Sequence, residues 1–150
     1  MAATPPAPRR MSYLRILAQG LTPATSAPTP VEAVRRQLAI QGQQVSAVPH
    51  AILSRTGPSV TRLEVDEAFE TGQLVRSWPM RGTIHITTAA DHHWLRVALM
   101  HRMDAWAGRT EKWLGIDDAL LERAGGLALA VIAAEGPLRR ARLLRVWRDG

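Results

Sequence analysis

Cysteine is absent from this 150-residue chain, and lysine nearly so. Without cysteine there is no structural disulfide, thiolate zinc site, iron–sulfur cluster or cysteine nucleophile. That absence fits a reducing compartment, and a cytoplasmic location is expected. No apolar run approaches the ~18 residues of a membrane span, so no membrane partner is expected. No apolar stretch follows Arg9-Arg10 to make a secretory signal. A P-loop, G-x-G-x-x-G, G-x-S-x-G and H-E-x-x-H are all missing, which removes the usual kinase, dinucleotide, hydrolase and metalloprotease signatures. Hydrophobic residues at 46% and charged residues at 21% exclude long disorder and a collagen-like chain.

What is present is arginine. Lys+Arg is 19 against 13 for Asp+Glu, a net charge of +6, with a pI near 11.3. Lys112 is the sole lysine. Arginine is a planar fork suited to phosphate and guanine edges, whereas lysine is a point charge. A basic, arginine-dominated chain points to a polyanion, most simply nucleic acid. Codon bias in a GC-rich genome is an alternative source of the Arg/Lys ratio, but it does not remove acids.

The pattern along the chain predicts helices, then a hairpin, then helices. A disordered lead is expected over 1–11, and a short helix from Ser12 to Gly20. Thr29-Pro30-Val31-Glu32 reads as a capping box with proline at the first helical position, opening a helix to about Ile40 that Gly42 breaks. Ser46 is placed as the cap of the next helix, with Pro49 in its first turn. Thr61-Arg62-Leu63-Glu64 repeats the capping pattern, and Gly72 closes that helix. Residues 74–78 and 83–87 are β-prone, and Pro79-Met80-Arg81-Gly82 supplies turn residues between them.

Helices followed by a hairpin are the winged-helix arrangement, a helix-turn-helix with the hairpin as wing. Thr88 to Asp91 cap a long helix carrying Leu95, Leu99, Arg102 and Trp106. Asp117 caps another, with Leu120, Leu121, Ala124, Ala128 and Val131 expected inward, and Leu138 to Asp149 form the last. The expected fold is mainly α with a small β-hairpin. It divides into a winged-helix unit over 12–88, a connecting helix and loop over 89–116, and the opening helices of a second, incomplete unit over 117–150. The chain stops at Gly150 as its last helix ends, with no wing after it. The sequence therefore reads as part of a longer architecture, the alternative being a terminal helix that docks back on one domain.

Few residues carry evident chemistry. His93 and His101 lie eight apart on one predicted helix, too far to share a metal, and no metal or cofactor is expected. Glu64, Asp66, Glu67 and Glu70 read as a cap and as acids near a helix start, where they favour its dipole. Trp78, Trp94, Trp106 and Trp113 read as core or interface anchors. Gln41-Gly42-Gln43-Gln44 is open to two readings. It is either a polar turn, or a pair of amides that point the same way on extended backbone and grip one water.

At these residues a resemblance enters. Gln41-Gly42-Gln43, followed by Val75-Arg76-Ser77-Trp78-Pro79-Met80-Arg81-Gly82-Thr83-Ile84-His85, resembles the winged-helix DNA-binding family that includes the AlkZ-like bacterial DNA glycosylases. The shared pattern is Gln-x-Gln (or Gln-x-Asp), then Trp-x-Met-Arg-Gly-Thr-x-His. The resemblance implies several winged-helix units in tandem around a DNA channel, this chain being the first unit and the opening of the second. It also implies hydrolysis of the N-glycosidic bond of N-alkylated purines or crosslinks, with Gln41 and Gln43 in the catalytic role.

The expected partner is double-stranded DNA, alkylated or crosslinked. Arg35, Arg36, Arg76, Arg81 and His85 are its candidate contacts; for Arg81 the alternative is an ion pair with Glu64 or Asp66. Two other functions stay open: a non-catalytic regulatory or architectural DNA-binding module, and a protein-interaction domain that self-associates through its C-terminal helix.

Overall fold

A computed structural model describes residues 8–80, 82–101, 108, 110–111 and 113–150. Its contacts divide the chain into two units, Met1–Met103 and Asp104–Gly150.

In the first unit α1 spans Pro8–Ala18, so helical backbone starts before the expected Ser12. Helix α2 (Pro30–Gln37) is capped by Thr29, whose hydroxyl accepts from the Glu32 N–H at 3.1 Å. The expected reciprocal bond is not made. The Glu32 carboxylate turns instead to Arg35 and Arg36 on its own helix, at 3.3 and 3.1 Å. Nor does α2 reach Ile40. Leu38 adopts φ 61° and ψ −48°, and the Ala39 N–H bonds the Gln37 carbonyl at 2.7 Å. This is a γ-turn of the rare, strained hand, and it swings the chain out of the helix.

Ile40–Gln41 then form β1, a strand too short for alternation to announce. A 3-10 turn over Val45–Ala47 leads into α3 (Val48–Leu53). Ser46 lies inside that turn and does not cap α3, whose capping position is Ala47, without a side-chain bond. Pro49 does fall in the first turn. Helix α4 (Arg62–Glu70) carries the complete capping box. Thr61 accepts from the Glu64 N–H, and its own N–H donates to the Glu64 carboxylate at 2.8 Å.

Strands β2 (Leu74–Met80) and β3 (Thr83–Thr88) complete an antiparallel sheet of order β1-β3-β2. Strand β2 runs further than the sequence suggests. Pro79 belongs to it, as an edge strand allows, and the link to β3 is residues 81–82. The register shifts between Ser77 and Met80. Helix α5 (Ala89–Leu99) starts at Thr88, whose hydroxyl accepts from the Asp91 N–H. Arg102 and Trp106 lie outside the described residues. Val34, Ile52, Val65 and Ile86 are fully buried, one each from α2, α3, α4 and β3. The core therefore sits where three helices meet one sheet face.

The second unit contains α6 (Asp118–Glu135) and α7 (Arg140–Asp149). Asp117 caps α6 by accepting from the Leu120 N–H at 2.7 Å. Arg142 pairs with Glu135, and the Trp147 indole N–H donates to the Ala124 carbonyl at 2.8 Å. Neither helix buries a residue. Leu120 and Leu121, expected inward, are 38% and 46% exposed.

Candidate nucleic-acid interface

The residues with chemical promise gather where β1 leaves the sheet. Ile40 pairs with Ile86 and Gln41 with His85, and the Gly42 N–H donates to the Ile84 carbonyl at 2.9 Å. A regular antiparallel ladder would return a bond from the Ile84 N–H to the Gly42 carbonyl. Here both groups find side-chain partners. The Ile84 N–H donates to Oε1 of Gln43 at 3.0 Å. The Gly42 carbonyl accepts from Nε of Arg76 at 2.8 Å, and Nη2 of the same guanidinium donates to the Gln43 carbonyl at 3.3 Å. Glycine fits closely at 42: a Cβ there would lie 3.1 Å from Cγ1 of the fully buried Ile86 and press on it.

Gln41 and Gln43 are both exposed. With Gln44, Ala47 and Ala51 they line an open groove of about 280 Å³. The Gln41 amide makes no hydrogen bond among the described residues, whereas Gln43 is anchored by its oxygen. The register sets Gln41, His85 and Ser77 opposite one another across the three strands, on one side of the sheet. Nδ1 of His85 lies 3.0 Å from the Thr83 carbonyl. A carbonyl only accepts, so Nδ1 carries the hydrogen in that bond; the Thr83 hydroxyl lies 3.5 Å from the same nitrogen.

The candidate cations divide. Arg36 binds Glu32 and donates to the carbonyls of Thr25 and Ser26, each at 3.3 Å, and so fastens the 22–28 loop. Arg35 shares the same Glu32 carboxylate, leaving the three charges with an excess of one positive. Arg76 is turned to main-chain carbonyls as described. Arg81 lies outside the described residues. Its two alternative partners are engaged elsewhere, Glu64 with Thr61 and Asp66 with Arg62. The Thr61 N–H and hydroxyl hold the Glu64 carboxyl below its ordinary pKa, outweighing the opposing desolvation.

Two features escaped the sequence reading. One is the job of Arg76, whose partners lie 33 and 34 residues away; no local spacing signals it. The other is what acids already noted in the sequence do together: α4 sets Glu64, Asp66, Glu67 and Glu70 against Arg62 alone. Its surface is acidic, unlike a helix meant for a DNA groove. Of the two roles expected for the tryptophans, core or interface anchor, the structure bears on the first. Trp78, Trp94 and Trp113 are 62%, 48% and 83% exposed, so none is a core anchor within its unit. Trp106 lies outside the described residues. Among the described residues no three metal-ligating side chains cluster, and no helix is long and apolar enough to cross a membrane.

The groove, the hairpin and the arginines all fall within one family match. The model of the family described as DNA glycosylase AlkZ-like matches residues 34–148, well over half the chain. The chain belongs to this DNA-glycosylase family, which links it to DNA repair and to DNA as partner. Neither the curated proteins nor the solved structures searched gave a match.

Proposed function

We infer that the first unit is a winged helix and that it contributes to a DNA glycosylase acting on N-alkylated purines or crosslinks. The element order from α2 onward supports the fold: helix, strand, two helices, then a hairpin, with β1 added beside β3. The observation that carries the function is the shared groove of Gln41 and Gln43 at a sheet edge, in a chain of this family. The acidic surface of α4 argues that DNA meets the groove and hairpin side rather than that helix.

The chemistry suits neutral amides. An N7-alkylguanine is already cationic and leaves without prior protonation. As the sugar takes on oxocarbenium character, a water oxygen bonds C1′ and the C1′–N9 bond breaks. The bonding pair stays on the base and neutralises it, and the proton lost from water passes to solvent. Such a step needs an oriented water more than a strong base. Damaged bases also cost less to expose from the stack.

Incubation with N7-alkylated duplex DNA, followed by chromatography for free base, tests this reading. Release above the uncatalysed rate is expected. The second reading, a non-catalytic DNA-binding module, is favoured by the structural bond between Gln43 and Ile84. Salt-sensitive DNA binding with no released base would establish it in place of the first.

A further inference from the structure

We propose that Arg76 is a positioning residue that makes Gln43 a hydrogen-bond donor, so that the two glutamines of the groove have opposite roles. This rests on the functional reading above and deepens it. Gln43 is tied at both ends of its reach. Its backbone carbonyl is held by Nη2 of Arg76, and its side-chain oxygen accepts from the Ile84 N–H.

In a regular ladder the Gly42 carbonyl would take the Ile84 N–H. Here it is drawn to Nε of Arg76 and the Ile84 N–H goes to Oε1 of Gln43, so removing the guanidinium would let the strand pair close and release the amide. With Arg76 in place Oε1 is used inward, and the NH₂ group is what the side chain retains for the groove. An NH₂ group only donates. Gln41 has no such tie and keeps its carbonyl oxygen to accept. One donor and one acceptor fix a water in both position and rotation while leaving a lone pair for attack. Two freely turning amides would not. Nothing in the sequence pattern distinguishes these roles, because the residues that impose them are Ile84 and Arg76, both distant along the chain.

The decisive variants are Gln43→Glu, Arg76→Ala and Arg76→Lys in the full chain, with single-turnover base release and DNA affinity measured side by side across a salt series. Gln43→Glu keeps an oxygen for the Ile84 N–H but has no N–H to give. Its release rate at saturating DNA is expected to fall about 100-fold, the typical cost of one lost catalytic donor, with affinity weakened only by the added negative charge. Release as fast as the parent's would overturn the donor role.

Arg76→Ala is expected to slow release about tenfold with DNA affinity and its salt slope unchanged. Arg76→Lys, which keeps N–H donors but not the planar fork that spans both carbonyls, is expected to recover part of the rate. A salt slope reduced by about one, as for a lost phosphate contact, would instead make Arg76 a DNA ligand and overturn the positioning role. If the parent releases no base, the functional reading fails and the geometry is judged by NMR. The side-chain NH₂ protons of Gln43 should be well separated and rigid in the parent and merge toward free-amide positions in Arg76→Ala. Unchanged resonances would overturn the proposal.

Discussion

The two units use similar residues to opposite effect. In the first, Val34, Ile52, Val65 and Ile86 are fully hidden, because α2, α3 and α4 share one buried cluster with Ile40, Leu74 and Ile86 of the sheet. In the second, Leu129, Ile132 and Leu144 remain 72%, 43% and 45% exposed, although α6 is the more apolar stretch of chain. Among the described residues α6 and α7 bury no side chain, so apolar content alone makes no core. The glutamine groove stands on the unit that has a core. Gly42 rests on Ile86, which couples the position of Gln41 and Gln43 to the best-buried strand. Sites on rigid elements hold their geometry better than sites on loops.

Substitutions in the two units should separate them. Ile86→Ala should cost about 2–5 kcal/mol in chemical denaturation and loosen the groove with it. Leu129→Ala should cost less than about 0.5 kcal/mol; a cost matching that of Ile86→Ala would mean that α6 is packed in solution as tightly as β3. Gly42→Ala, which presses a methyl group on Ile86, should destabilise by about 1 kcal/mol, seen as a lower denaturation midpoint.

The smallest effect expected concerns Glu64. Its folded-state pKa is depressed by Thr61, so its contribution is present above the ordinary glutamate range and is lost as pH falls through the folded value. Glu64→Gln should therefore be the less stable protein at pH 7, with the gap closing on acidification toward pH 3. A gap that widens there would reverse the sign of the linkage.

The features legible in the sequence were those decided within a turn of chain. Thr29, Thr61, Thr88 and Asp117 each accept from the N–H three residues on, as their positions before apolar stripes suggest. Ser46 failed under the same rule, because the chain there forms a 3-10 turn and Gln44 donates to its hydroxyl instead. The motif residues of the groove and hairpin were legible as a family pattern. Their division of labour was not. A two-residue strand leaves no periodicity, the bend at Leu38 puts leucine where glycine is usual, and the bond that orients Gln43 spans 41 residues.

The central claim is that the groove at the end of β1 cleaves a base from its sugar. The most direct measurement compares the parent chain with Gln41→Ala on one N7-methylguanine duplex, following bound DNA and liberated base in the same reaction. The account predicts equal occupancy and a release rate lowered about 100-fold or more in the variant. Equal release from both proteins would contradict it.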